Sequence, residues 1–313
     1  YTDYRRMIEK EDLDGVVVCV GYDKMGRPIY PRIAADCMRL GVNVFIEKPP
    51  AAFTRDVEVM MEAGEETGKI VVCGLKRQFF PTTTKAKKLI SDRDRFGDPM
   101  LLSLFREESI PEVDEMKAWK DKGERNRTGG FLDHFCHPAS RLLYLFGMPQ
   151  RMIYHRARSG AGVATFEYDD GRLATMTFTK GGSGVAGGVE RVTIVGTNFQ
   201  TVVIENCRVI VFQGPLPDPG TQRSGYGAKV DYYTGEIGTT TAVWEPEFTL
   251  GQLYSKGLVQ LGYYDEILEF ANAVMEKRQP TRGTLSQCWQ MTHMFEKFME
   301  GPGRMIELEQ GPE

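Results

Sequence analysis

Residues 42–50 read VNVFIEKPP, and this stretch decides the fold of the first part of the chain. Four of its first five residues are apolar, and all four are β-branched or aromatic, which is typical of a buried strand in a parallel sheet. Glu47 and Lys48 follow at the carboxyl end, and Pro49 and Pro50 end the strand because proline has no N–H to donate. Ligands of open α/β sheets bind at that end. Lys48 is therefore a candidate for chemistry, although a solvated lysine in a turn would show the same pattern.

Residues 1–80 alternate between helix and strand. Thr54 is predicted to cap the third helix, with acidic residues in the first turns. The pattern predicts helices over residues 4–10, 31–40 and 54–67, and strands over 15–20, 42–46 and 69–73. Alternation of this kind is typical of βαβ units, so we expect a doubly wound parallel sheet of the Rossmann type in this part of the chain.

The element order changes near Phe80 and Pro81, where we expect a domain boundary that divides the chain into residues 1–80 and 81–313. The second part is predicted to be an α+β domain with a largely antiparallel open sheet. Asp169-Asp170-Gly171 indicates a hairpin between two of its strands. Trp119 falls in a predicted polar loop. Strands are predicted over residues 100–105, 151–157, 164–168, 173–179, 191–195, 201–205, 208–212 and 305–308, and helices over 84–91, 129–146, 265–276 and 285–299.

A second motif, TGGFLDHFCH at residues 128–137, opens the predicted helix over 129–146. Asp133 and His137 are four residues apart, so they share one face of that helix. Histidine titrates near neutral pH, and a carboxylate close by is expected to orient the imidazole and stabilise its charged form, which suits proton abstraction. The alternative is a plain helix start, with Asp133 placed for the helix dipole and His137 half-buried.

Together the two motifs resemble the glucose–fructose oxidoreductase / inositol dehydrogenase / MocA family of NAD(P)-dependent oxidoreductases. That family has Glu-Lys-Pro after a Rossmann strand, matched here by Glu47-Lys48-Pro49. It also has a GG-x-x-D-x-x-x-H helix start, matched by residues 129–137. Weaker likeness extends over nearly the whole chain, and the resemblance implies NAD or NADP as the cofactor.

The resemblance also implies roles for single residues. Lys48, Asp133 and His137 are the expected catalytic residues, with His137 as the general base that takes a hydroxyl proton. The expected cofactor-binding residues are Gly21, Tyr22, Glu47, Lys48 and Pro49, and the expected substrate-binding residues are Arg77, Trp119, Asp133 and His137. Gly21-Tyr22 replaces the family's usual Thr-Pro, and Tyr30 stands where a histidine is usual. The implied substrate is a sugar, sugar derivative or cyclitol, and the implied assembly is a homo-oligomer formed through the open sheet face.

A G-x-G-x-x-G phosphate loop, which a dinucleotide domain needs at a helix N-terminus, is not in this sequence. The glycine-rich residues 181–184 and 187–188 open no predicted helix, so we interpret them as a hairpin or loop. We therefore expect an N-terminally truncated protein whose remaining strands are the fourth to sixth of the order 3-2-1-4-5-6, with residues 16–20 forming an exposed apolar edge. Poor binding of NAD(P) by the 313-residue chain alone follows from this expectation.

Composition sets wider limits on the function. A chain of 313 residues favours two domains, and 41% hydrophobic with 26% charged residues is an ordinary globular profile. With 39 basic and 43 acidic residues and no basic stripe, a nucleic-acid partner is not expected, and no apolar run has the length of a membrane span.

The six cysteines are scattered, and Cys19 and Cys73 fall in predicted buried strands, which favours reduced thiols and a cytoplasmic protein.

Alternatives remain for the site, for the activity and for one long segment. A metal site could be built from Asp133, His134, Cys136 and His137, but successive helical residues point in different directions, so no metal is predicted. The chain could be a non-catalytic sugar-binding or regulatory family member, or an inactive fragment. Residues 213–256 show no periodicity, and a substrate lid and a surface or oligomer contact explain them equally well.

Overall fold

The computed structural model describes residues 1–179, 189–198, 200–213, 241–246 and 256–312. The described helices are α1 Tyr4–Lys10, α2 Tyr30–Arg39, α3 Thr54–Thr67, α4 Pro81–Ser91, α5 Arg93–Phe96, α6 Val113–Lys117, α7 Arg127–Phe146, α8 Lys256–Gln260, α9 Tyr263–Met275 and α10 Leu285–Lys297. The described strands are β1 Gly15–Val18, β2 Asn43–Ile46, β3 Val71–Cys73, β4 Pro99–Arg106, β5 Arg151–Arg156, β6 Gly162–Glu167, β7 Leu173–Phe178, β8 Arg191–Gly196, β9 Gln200–Glu205, β10 Arg208–Gln213, β11 Thr241–Trp244 and β12 Ile306–Glu307.

The first sheet is parallel, with the strand order β1-β2-β3 among the described residues. Val44, Phe45 and Ile46 of β2 are all buried, because helices cover both faces of this strand. The predicted Rossmann-type sheet is confirmed. Strand β1 forms one edge, where the side chain of Val17 is 54% exposed, and it ends at Val18. Cys19 therefore lies beyond the strand and is exposed, so the prediction that it is buried was wrong.

The second sheet has the order β11-β10-β9-β8-β4-β7-β6-β5-β12 within the described ranges. Only the β4–β7 pair is parallel there, so the predicted largely antiparallel sheet is confirmed. The hairpin predicted at Asp169–Gly171 joins β6 to β7, and Gly171 supplies the positive φ of 88° that this turn requires. One face of the sheet packs on α7 and α10 through the aromatic rings of Phe131, Phe135, Phe178, Phe295 and Phe298.

Two local predictions were wrong. Phe53, not Thr54, is the N-cap residue of α3, and its side chain makes no capping bond. The backbone N–H and hydroxyl of Thr54 instead donate to the Glu296 carboxylate of α10, at 3.2 and 3.0 Å. The supposed polar loop around Trp119 is helical, consisting of α6 and a π-helical turn at Ala118–Lys122. In both cases tertiary partners far away in the sequence set the local structure.

The last two long helices, α9 and α10, pack against the first sheet. Phe270 of α9 packs on Phe45 and Val72, and α10 contacts both α3 and α7. None of the described helices has the length and apolarity that crossing a bilayer requires. Of the segment 213–256, residues 241–244 form β11 against β10, and most of the remainder lies outside the described residues. The glycine-rich residues 181–184 and 187–188 lie outside them as well.

Candidate active site

The predicted cofactor-side residues lie where the parallel strands end. Gly21 and Tyr22 follow β1, and Glu47, Lys48 and Pro49 follow β2. Since the carboxyl ends of parallel strands meet at one edge of the sheet, these residues share the edge at which α/β proteins bind ligands.

Helix α7 approaches this edge with its first turns. It begins at Arg127, where the Asn126 side chain caps it by accepting from the Thr128 N–H at 2.9 Å. A Cβ on Gly129 would lie 3.1 Å from the Gly26 carbonyl oxygen, so this glycine allows the loop after β1 to pack closely on the helix start. Asp133 and His137 follow on one face of the helix.

Lys48 and Asp133 join the two parts of the chain. The Lys48 ammonium donates to Asp133 Oδ1 at 2.8 Å, and the Tyr22 hydroxyl donates to the same oxygen at 2.9 Å. Burial acts to lower the pKa of Lys48, but Cys136, Asp133 and Glu47 together hold it above its ordinary value. Burial, reinforced by Asp133, raises the pKa of Tyr22. Both groups therefore keep their protons at neutral pH.

His137 is a buried, neutral imidazole. Its residue is 9% exposed, and burial followed by the charges of Arg77 and Lys48 keeps its pKa well below the ordinary value. The Cys136 sulfur lies 4.0 Å from Nδ1 of the ring. The Asp133 carboxylate is held by Lys48 and Tyr22, so it does not orient the imidazole as the sequence interpretation expected. The ring is in the form that accepts a proton.

Arg77 belongs to a buried ion cluster that the sequence reasoning did not find. Its Nη1 lies 2.9 Å from Glu190 Oε2, and Arg106 and Arg141 reach the same carboxylate at 3.2 and 3.0 Å. Burial acts to raise the pKa of Glu190, but the three guanidinium groups hold it below its ordinary value. One signal was available in the sequence, because Arg141 continues the four-residue spacing of Asp133 and His137.

Trp119 is not brought into contact with Asp133 or His137. Its side chain is fully buried, packs between Phe53 and Phe295, and donates through Nε1 to the Met25 carbonyl at 2.9 Å. This leaves it no free surface for a substrate. Its observed contacts hold the loop after β1 against the second part of the chain.

The alternative metal site is not assembled. His134 places Nδ1 against the Glu108 carboxylate and Nε2 3.8 Å from Asp133 Oδ2, and the Cys136 sulfur contacts the Asp133 carbonyl. Among the residues that the structure describes, no three histidine, cysteine or acidic side chains are grouped so that they could hold a metal ion.

A second unexpected group lies under the strand ends. Glu266 of α9 is 2% exposed, and its Oε2 has no hydrogen-bond partner among the described residues. Burial, and after it the charge of Glu47, raises the pKa of Glu266 to about 8. This carboxyl is therefore mainly protonated at neutral pH.

The chain matches two family models. Residues 1–75 match that of the oxidoreductase family with an NAD-binding Rossmann fold, and residues 87–299 match that of the same family's C-terminal α/β domain. A 2,7-anhydro-N-acetylneuraminate hydratase of Mediterraneibacter gnavus is 30% identical over 183 residues, which are 57% of this chain and 46% of the relative. The NADP-dependent scyllo-inositol 2-dehydrogenase IolW of Bacillus subtilis is 26% identical over 210 residues, 65% of this chain and 56% of the relative.

The chain thus spans about half the length of these curated relatives. In fold, it is similar to a dehydrogenase from Chromobacterium violaceum, with a TM-score of 0.72, 18% identity, and coverage of 96% of this chain and 80% of that one. The matches to both domain models account for most of the sequence. The chain belongs to the Gfo/Idh/MocA oxidoreductase family.

Proposed function

We propose that the protein is an NAD(P)-dependent oxidoreductase that moves a hydride between the nicotinamide and a secondary alcohol carbon of a sugar, sugar derivative or cyclitol. The observation that carries the proposal is the convergence of Lys48, Asp133 and a neutral His137 at the carboxyl ends of parallel strands. The names of two relatives, both scyllo- or myo-inositol dehydrogenases, support the substrate class.

The residues at the strand ends fit the nicotinamide end of a dinucleotide. Apart from its two chain neighbours, no described residue has an atom within 4 Å of the position that a Cβ on Gly21 would take, so its backbone is open to a close approach. Tyr22, Glu47, Lys48 and Pro49 would line the same edge. When bound there, the cofactor supplies a hydride acceptor or donor.

The side chains then have distinct tasks. Neutral His137 takes the proton of the reacting hydroxyl group, because its lowered pKa keeps the imidazole free of a proton. The charged Lys48 ammonium stabilises the negative charge that develops on the substrate oxygen. Asp133 holds Lys48 in place and is available to accept from a neighbouring substrate hydroxyl. Arg77 acts on the site through its charge, which lowers the pKa of His137, while its guanidinium group pairs with Glu190. We leave Trp119 out of the substrate site.

We assign cofactor binding to residues 1–80 and substrate binding and oligomerisation to residues 81–313. Leu101 and Leu173 support assembly through the open sheet face, since they pair across β4 and β7 and are 39% and 42% exposed. A cytoplasmic location is proposed because all six cysteines are free thiols.

Turnover by the natural full-length protein tests the function. NAD and NADP would each be offered with a panel of sugars, sugar acids and cyclitols, and the reduced cofactor would be followed by its absorbance. Reduction with at least one panel member is expected. Binding of sugars without any cofactor reduction or reoxidation would favour the non-catalytic alternative.

A further inference from the structure

The ion cluster around Glu190 carries more positive than negative charge. Arg77, Arg106 and Arg141 converge on this one carboxylate, and their side chains are 13%, 9% and 2% exposed. Guanidinium groups stay protonated in proteins. One carboxylate therefore balances one of three buried cations, and no other carboxylate of the described residues pairs with them.

The hydrogen bonds of the cluster are also incomplete. Arg141 uses Nη1 for Glu190, whereas its Nε and Nη2 have no partner among the described residues. These two nitrogens form one edge of the guanidinium plane, which is the edge that binds a carboxylate through two parallel hydrogen bonds. The Nε atoms of Arg77 and Arg106 likewise have no partner in the part of the chain that the structure describes.

The cluster lies next to the reacting groups. Asp133, His137 and Arg141 follow each other at intervals of four residues and share one face of α7. One such interval advances about 6 Å along a helix, which is within the span of a sugar-sized molecule. Arg77 is the most exposed of the three arginines, with 13% of its side chain accessible.

A purely structural cluster explains these observations less well. Uncompensated buried charge is costly, so an ion cluster that only ties strands and helices together is expected to be balanced and fully hydrogen-bonded. Phe80 covers the faces of the Arg77 and Arg141 guanidinium groups, with ring centres 4.6 and 5.4 Å from the guanidinium carbons, but leaves the edge of Arg141 unpaired. Substrate hydroxyl groups supply hydrogen bonds but no charge, whereas a carboxylate supplies both.

We infer that the substrate carries a carboxylate group, which docks on Arg141 with help from Arg77 and Arg106 while the reacting hydroxyl lies at His137 and Lys48. The substrate class is then a sugar acid, and neither a neutral sugar nor a cyclitol. The inference rests on the proposed function, because it places the reacting hydroxyl at His137.

Calorimetric titration of the full-length protein, saturated with NADH or NADPH, tests the inference without turnover. Gluconate is compared with glucitol, galacturonate with galactose and glucuronate with glucose, at constant ionic strength. At least one acid is expected to bind about tenfold or more tightly than its neutral partner. If no acid reaches this preference, including the case in which nothing binds, the inference is overturned. Tighter binding of inorganic phosphate than of every acid overturns the choice of carboxylate.

Arg141→Lys keeps the charge but removes the two-nitrogen edge, so it should abolish the preference for the acid, measured as the ratio of the affinities for the acid and for its neutral partner. Arg156→Lys is the matched control, since Arg156 is also buried, pairs with Glu112 and lies outside the cluster. Arg77→Lys replaces Arg141→Lys if the latter does not fold. Retention of the preference in the Arg141 or Arg77 variant contradicts the inference.

The two proposals fail in different ways. Turnover of neutral sugars without any preference for acids would retain the proposed function and overturn the carboxylate inference. Selective binding of acids without hydride transfer to or from any of them would retain the anion site and contradict the proposed function.

Discussion

Lys48 and Asp133 are the residues through which the first sheet and helix α7 meet, over a contact of 2.8 Å. If the ammonium group stabilises the developing oxyanion, Lys48→Met should lower kcat by about 10²–10³ at saturating cofactor, beyond any loss of cofactor affinity. Steady-state kinetics and a separate cofactor titration measure the two effects. Lys87→Met is a suitable control, because Lys87 donates to the Leu145 carbonyl away from the site. A kcat like that of the unmodified protein would remove Lys48 from the mechanism.

The pKa of His137 makes a second prediction at this scale. A general base works in its unprotonated form, and the pKa of His137 lies well below the ordinary value of 6.5. The acidic limb of kcat/KM is therefore expected at a pH below 6.5, because kcat/KM reports the free enzyme. A pH profile measures this. An acidic limb at or above the ordinary histidine pKa would mean that another group titrates.

The sequence predicts the position of a residue in the fold where the residues next to it in the chain form a clear strand or helix pattern. Lys48 follows an apolar strand and precedes prolines, and Asp133 and His137 share a helix face, so the sequence alone indicates all three as candidates. Arg106 ends β4, Arg141 lies in α7 and Glu190 directly precedes β8, so their meeting depends on β4 pairing with β8 and on how α7 packs on that sheet. The hydrogen bonds of Asp133 were misjudged for the same reason, since Lys48 and Tyr22 reach it from the other part of the chain.

Among the elements, α9 holds two carboxylates whose pKa values are shifted in opposite directions. The folded state keeps a proton on Glu266 up to its pKa of about 8, whereas an unfolded chain releases it near 4.5. Stability from this group is thus lost as the pH rises from 4.5 towards 8. Glu266→Gln should raise the free energy of unfolding at alkaline pH by roughly 2 to 4 kcal/mol and have little effect at acidic pH.

Glu269 on the same helix serves as a control, because its pKa is lowered whereas that of Glu266 is raised. It binds Arg278 at 2.9 and 3.0 Å and accepts from Thr281, and these contacts outweigh burial and lower its pKa to about 2. The ionised Glu269 carboxylate stabilises the protein above pH 4.5, and this stabilisation is lost as the pH falls towards 2. Glu269→Gln should therefore destabilise the protein at neutral pH. Urea denaturation at several pH values compares both variants. An equal effect of Glu266→Gln at all pH values would contradict the account of α9.

Helices and strands were predicted well where one periodic pattern controls them, as in α3, α7 and β6–β7. Thr54 was misplaced as a cap because Glu296, far along the chain, supplies the acceptor. Cys19 was misplaced because apolar residues continue past the last strand pairing at Val18. Strand ends and caps depend on partners that a local window does not contain.

At the scale of the whole molecule, the open face of the second sheet is the proposed assembly surface. Leu102 and Ala174 face the core, so their neighbours Leu101 and Leu173 face outward and remain partly exposed. Leu173→Glu should shift the protein from an oligomer to a monomer, because a carboxylate buried in an apolar interface is costly. Light scattering after size exclusion measures the mass. A monomeric unmodified protein, or an unchanged oligomer in the variant, would contradict the proposed surface.

The division into a parallel and a largely antiparallel sheet was predictable, because strand–helix alternation gives way to consecutive strands near Pro81. The packing of α9 and α10 against the first sheet was not predictable, because nothing near Phe270 in the sequence indicates Phe45 and Val72 as its partners. This packing places Glu266 beneath the strand ends, beside the residues proposed to bind the nicotinamide.

The most direct test of the central claim is the turnover of His137→Ala in the natural full-length protein at neutral pH. The mechanism assigns the hydroxyl proton to this imidazole, so kcat should fall by about 10²–10⁴ while cofactor binding is retained. Turnover within a few-fold of the unmodified protein would show that His137 is not the base and would contradict the proposed mechanism.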